Sequence, residues 1–200
     1  MSFINDLELR FRDLNEALSF VLAILSLAVA FLSLNPLYFG ISVLTATTAI
    51  VPHEIAHRQS ARSYGCNSRF VLSFKGFTVT LLVNLLSSIL HIGILIFVSG
   101  FTAIFCRFGY MGQELEGKTA FFGPLTNLII AFLALISLGF IHNDSIVETI
   151  LSQIFAFNAY VAFFNLIPIP PLDGFKVFRW NKTVWIAGVL ISFVLTFLFV

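Results

Sequence analysis

Apolar residues in this chain gather into long runs rather than into the alternating faces of a water-soluble domain. Residues 17–34 are apolar over about the length that crosses a ~30 Å hydrocarbon layer, and the run stops at Asn35-Pro36. Further runs cover residues 37–57, 123–141, 146–167 and 184–200, the middle pair separated by a short polar turn at His142. Between the second and third runs the texture changes. Phe70, Leu72 and Phe74 alternate with Val71, Ser73 and Lys75; after Gly76, Phe77, Val79 and Leu81 alternate with Thr78 and Thr80. Period two with aromatic and β-branched residues predicts strands over 68–81. Residues 81–105 are apolar but broken by Asn84, Ser87, Ser88, His91, Gly93, Ser99 and Gly100. The pattern predicts an all-α polytopic membrane protein with about five to six transmembrane helices and a small β or re-entrant hairpin.

Composition strengthens that reading. Hydrophobic residues make up 58% of the 200 and charged residues 10%, with a mean hydropathy of +0.98, which excludes a water-soluble domain of this length. The net charge of +1 offers no basic field for nucleic acid. No linker, repeat or low-complexity tract divides the chain, so residues 1–200 are expected to form one membrane domain. Cys66 and Cys106 are too few for a disulfide framework, and both are expected to be reduced thiols. The charged residues before the first run lack the pattern of a signal peptide and read as an amphipathic lead-in.

The second run carries the chemistry. Pro52, His53, Glu54 and His57 interrupt an otherwise apolar helix, and Thr45, Thr47 and Thr48 precede the proline where hydroxyls can bond freed carbonyls, so a kink is expected just before the histidines. At 3.6 residues per turn, His53 and His57 share one helix face with Glu54 at its edge. That is the pattern of two imidazole ligands to Zn2+ with a carboxylate beside the water to be activated. Ionisable groups within a span are costly and mark function by default. A hundred residues on, Asn165 is followed by Pro168, Pro170 and Pro171 and then by Leu172-Asp173-Gly174; three prolines in four positions cannot continue a helix.

Taken together, His53-Glu54-x-x-His57, Gly123-Pro124-x-x-Asn127 and the Asn165 to Gly174 run resemble the site-2 protease family of intramembrane zinc metalloproteases, in family order over roughly the central two-thirds of the chain. The resemblance implies that His53, His57 and Asp173 are zinc ligands, that Glu54 is the general base, and that Asn165, with Asn127 as a weaker match, holds substrate backbone. It implies hydrolysis of peptide bonds within or near the transmembrane segment of a membrane-protein substrate. Proline at 124 fits the first turn of a helix, and no PDZ or CBS module is recognisable.

Charge placement tests whether these ligands can meet. Arg and Lys fall at 10, 12, 58, 62, 69, 75, 107, 118, 176, 179 and 182; if residues 81–105 do not cross the bilayer all lie on one side, and if they cross the set splits into six and five. The positive-inside bias favours the first arrangement, which brings His57 and Asp173 to the cytoplasmic side together. An edge strand around residues 70–80 is then placed to pair with an extended substrate. Rival readings are a metal-ion transporter or a membrane zinc-binding protein using the same cluster, although the first and last runs lack ionisable residues. His91 reads as a gate-lining or, more simply, a packed residue.

Overall fold

The computed structural model describes residues 3–107, 112–141 and 145–198; His142 lies outside them. Helix α1 (Phe3–Arg12) bends through 114° into α2 (Glu16–Ala28), which a 3-10 turn extends to Phe31. Helix α3 (Pro36–Ser63) begins where Asn35 accepts the Leu37 N–H and Pro36 fills the first turn. Strand β1 (Cys66–Leu72), helix α4 (Phe74–Leu90) and strand β2 (Gly100–Cys106) follow. Helices α5 (Gln113–Leu138), α6 (Ser145–Asn165), α7 (Asp173–Trp180) and α8 (Lys182–Phe197) complete the order.

Among the described residues, α3, α5 and α6 are long and apolar enough to cross a membrane, and the bent α1–α2 pair makes a fourth if it counts as one span. The sequence pattern suggested five to six. The difference lies in the first and last apolar runs, where α2 has 13 residues before its 3-10 extension and α8 has 16, both short of a full crossing. Small residues let the helices approach closely: Ala131 and Ala134 of α5 and Ala159 and Ala162 of α6 share one buried cluster, and Ala23, Ala28, Ala46 and Ala49 join α2 to α3 in another with Phe70 and Leu72 of β1.

The segment between α3 and α5 departs from expectation in three ways. Residues 74–81 are helical, not extended. Ser73 accepts the Gly76 N–H at 3.2 Å and Glu8 accepts the Lys75 N–H at 3.1 Å, so two orphan donors of the first turn are capped and α4 propagates through the alternating stretch. The partner of β1 is β2, antiparallel, with Leu72 opposite Gly100 and Cys66 opposite Cys106. That register places the two cysteines side by side at one end of the sheet, and they form a disulfide rather than free thiols. Pro124 lies inside α5 rather than in its first turn, because the helix starts at Gln113 with Glu114 and Glu116 at its N-terminus and a Glu114–Lys118 ion pair at 2.6 Å.

Residues 73–99 therefore leave the sheet and return to the same end of it, with the Ser73 N–H bonded to the Ser99 carbonyl at 2.9 Å. The return leg is non-helical, and polar side chains satisfy its backbone. Asn84 donates to the Ile96 and Ser26 carbonyls and accepts the Ile96 N–H, Thr80 accepts the Val98 N–H, and Tyr160 donates to the Leu95 carbonyl. Irregular backbone amid apolar helices requires that kind of cover. His91, expected to pack or to line a gate, is exposed and ends α4 in the left-handed region at φ 53°.

Candidate active site

Helix α3 runs on through Pro52 and carries His53, Glu54 and His57 on its buried face. The Asn165 to Asp173 turn brings the first residue of α7 back against that face. His53 Nε2 and His57 Nε2 lie 3.0 Å apart, and Asp173 Oδ2 lies 3.2 Å from the first and 3.0 Å from the second. Thus three residues from two distant stretches present one ligand atom each to a common point.

The hydrogen bonds behind the rings decide what the site suits. His53 Nδ1 faces Asn127 Oδ1 at 2.6 Å, and His57 Nδ1 faces the Thr119 carbonyl at 2.8 Å. Neither oxygen can donate, so each Nδ1 carries the ring proton and each Nε2 presents a lone pair inward. Two lone pairs and an anion about 3 Å apart repel unless a cation lies among them. Tetrahedral zinc, with bonds of about 2.0–2.1 Å, spaces its ligand atoms ~3.3 Å apart, so the donor set fits it.

Glu54 is 4% exposed, and its Oε2 accepts a hydrogen bond from Thr102 Oγ at 2.7 Å. Thr102 lies on β2, so the sheet fixes the carboxylate next to the histidines. Gly123 makes the approach of α5 sterically feasible: a Cβ there would overlap His57 Nε2 and lie 2.6 Å from His53 Nε2. One turn later, Asn127 holds His53. It is fully buried, and its Nδ2 donates to the Ala49 carbonyl and to Asn158 Oδ1. Asn165, in contrast, lines the cleft, with its Nδ2 bonded to the Val161 carbonyl.

That cleft, about 1150 Å³, is walled by His53, Glu54, His57, Asp173 and the whole of β2, and it exceeds the usual small-molecule pocket. β2 has no second strand partner among the described residues. The Phe70 N–H bonds Glu16 Oε1 at 2.9 Å instead of crossing the ladder, so Phe70–Thr102 is a non-hydrogen-bonded pair and the Thr102 backbone groups turn to the open edge. By alternation, so do those of Gly100 and Ile104. The free edge is therefore β2, not the 70–80 stretch that the alternation suggested.

No family model matches the chain, and no solved structure matches it. Among curated proteins, one from Methanocaldococcus jannaschii named "Putative zinc metalloprotease MJ0611" is 34% identical over 184 residues, covering 89% of this chain and 93% of that protein. The chain belongs to a family of zinc metalloproteases. A second relative, "Putative zinc metalloprotease YwhC" of Bacillus subtilis, is 30% identical over 162 residues, 70% of this chain and 71% of that protein. The His53, His57 and Asp173 cluster gives this zinc metalloprotease a site suited to its metal. The transporter alternative is not favoured by these relatives.

Thr102, Thr119, Gly123 and Asn158 escaped the sequence reading as contributors to the site. Only Gly123 carried a signal, as the first residue of a matched motif. The others are single polar residues whose partners lie 31 to 62 positions away.

Proposed function

We propose that this zinc metalloprotease is an intramembrane enzyme of the site-2 type, hydrolysing peptide bonds within or near the transmembrane segment of other membrane proteins. The observation that carries the reading is the convergence of His53, His57 and Asp173, with Glu54 beside them, on a helix apolar enough to cross a bilayer. His53 Nε2, His57 Nε2 and Asp173 Oδ2 hold zinc. When bound, the metal supplies Lewis acidity that activates water and polarises a peptide carbonyl.

The protein's own groups do the rest. Glu54 takes one proton from the attacking water and passes it to the leaving amine as the C–N bond breaks, so the water is divided between the two products. Thr102 holds the Glu54 carboxylate in place through its second-strand position. The outward backbone groups of Gly100, Thr102 and Ile104 bind an extended stretch of substrate by strand addition, and Asn165 holds its backbone from the opposite wall. A helical substrate segment unwinds first, because its peptide groups are otherwise occupied. The chain crosses the membrane several times with the cleft on the cytoplasmic side, supported by the return of residues 73–99 to their starting point and by the distribution of Arg and Lys.

The test uses full-length protein in liposomes with single-span reporter proteins that differ only in their transmembrane segment. Wild type is expected to yield fragments cut in or next to the apolar segment, and Glu54→Gln none at equal zinc content. Cuts confined to the water-exposed tails would overturn the intramembrane reading. Turnover by Glu54→Gln would remove the general-base assignment.

A further inference from the structure

Asn158 of α6 and Asn127 of α5 are both fully buried, at a level where α3, α5 and α6 meet. Amide side chains among apolar helices are tolerated when every polar atom is used. Here they are used in one direction. Asn158 Nδ2 donates to the Ile154 carbonyl at 2.9 Å and to Thr48 Oγ at 3.4 Å. The Thr48 hydroxyl spends its own proton on the Thr45 carbonyl, so Asn158 Nδ2 faces acceptors alone. Its Oδ1 must then point the other way, where it accepts from Asn127 Nδ2 at 2.8 Å. With that atom and the Ala49 carbonyl both accepting from Asn127 Nδ2, Asn127 Oδ1 is forced toward His53 Nδ1.

An amide is nearly symmetric in shape, so packing alone does not choose between its two orientations. A flipped Asn127 would set its NH2 against the His53 Nδ1–H and its oxygen against two other oxygens. We propose that Asn158 is a positioning residue for the metal site. It sets the polarity of Asn127, which in turn keeps the His53 proton on Nδ1 and the Nε2 lone pair directed at the zinc. The inference rests on the zinc-site reading above and extends it to a residue that touches neither metal nor substrate.

The test measures zinc affinity of purified full-length protein by competition with a chromophoric chelator, alongside thermal unfolding of the zinc-free form. Asn158→Leu removes the acceptor and should weaken zinc binding about 10- to 100-fold, the range for loss of a group that orients a ligand. Asn158→Asp keeps an oxygen facing Asn127 and should bind more tightly than Asn158→Leu. A purely structural role predicts the reverse, since a buried carboxylate harms the fold more than leucine does. Because Asn158 acts through Asn127, Asn127→Leu/Asn158→Leu should bind no worse than Asn127→Leu alone. Wild-type affinity in Asn158→Leu, a weaker Asn158→Asp, or additive losses would each overturn the proposal. If Asn158→Leu does not fold, Asn158→Ser, which withdraws the acceptor with a smaller disturbance, is expected to show the same weakening, and unchanged affinity there would equally overturn it. Failure of the wild type itself to bind zinc, or its binding unchanged in His53→Ala, would instead reject the zinc-site reading.

Discussion

Substituting Gly123 by alanine tests how closely α5 must approach the ligand rings. The added Cβ would fall well inside 3.0 Å of His57 Nε2, His57 Cε1 and His53 Nε2, whereas carbon and nitrogen atoms in contact sit about 3.5 Å apart. Relief therefore requires a shift of roughly 1 Å in the rings or in α5, about half the length of a zinc–nitrogen bond. Overpacking of that size costs about 1–3 kcal/mol. Assigned to the metal site, it lowers zinc affinity by roughly 5- to 150-fold. Alanine is also the better helix former by about 1 kcal/mol, which offsets part of any loss of zinc-free stability. The expected result is weak zinc binding in a protein whose zinc-free unfolding is little changed, read by chelator competition and by circular dichroism on heating. Gly188→Ala on α8 is the internal control: its Cβ would meet the side chains of Leu166 and Phe121 at 3.2 and 3.4 Å, which can yield. Zinc binding of wild-type strength in Gly123→Ala would refute the claim that this glycine sets the room around the rings.

Thr102→Val removes the 2.7 Å hydrogen bond to Glu54; it should leave zinc content intact and slow single-turnover cleavage about 10-fold, an oriented hydrogen bond being worth roughly 1–2 kcal/mol. An unchanged rate would show that Glu54 needs no anchor. Asn84→Leu orphans the Ile96 N–H and carbonyl together with the Ser26 carbonyl; it should destabilise the protein by about 2–4 kcal/mol, and a detergent thermal melt equal to wild type would contradict the cover given to the return leg. Lys75→Cys and Gly112→Cys, made without Cys66 and Cys106, should both label from one side of sealed vesicles with an impermeant thiol reagent. Gly76 has no room for the probe, since a Cβ there would overlap the Val98 carbonyl. Labelling from opposite sides would mean that residues 81–105 cross, against the return of β2 to β1.

Local spacing was enough to reveal His53, Glu54 and His57, because a helix puts residues four apart on one face whatever surrounds it. Uniform apolar runs likewise marked α3, α5 and α6, since every residue of a span faces lipid or another helix and leaves a continuous signal. The three prolines before Asp173 announced an irregular turn for a reason equally local, the missing amide. The alternation over residues 74–81 does not decide for a strand, because β-branched and aromatic residues also suit a helix whose sides are all apolar; the deciding groups are the caps from Ser73 and, from 67 positions away, Glu8. Pairing of β1 with β2 and the Cys66–Cys106 bond that follows from their register join residues 28 to 40 apart, separations that no periodicity encodes. Asn127 shows the division most plainly. The family resemblance implies a hand on the substrate as a weaker match; packing of α5 against α3 and α6 sets its Oδ1 behind His53, because an amide acquires a direction only from the donors and acceptors that the tertiary structure sets around it.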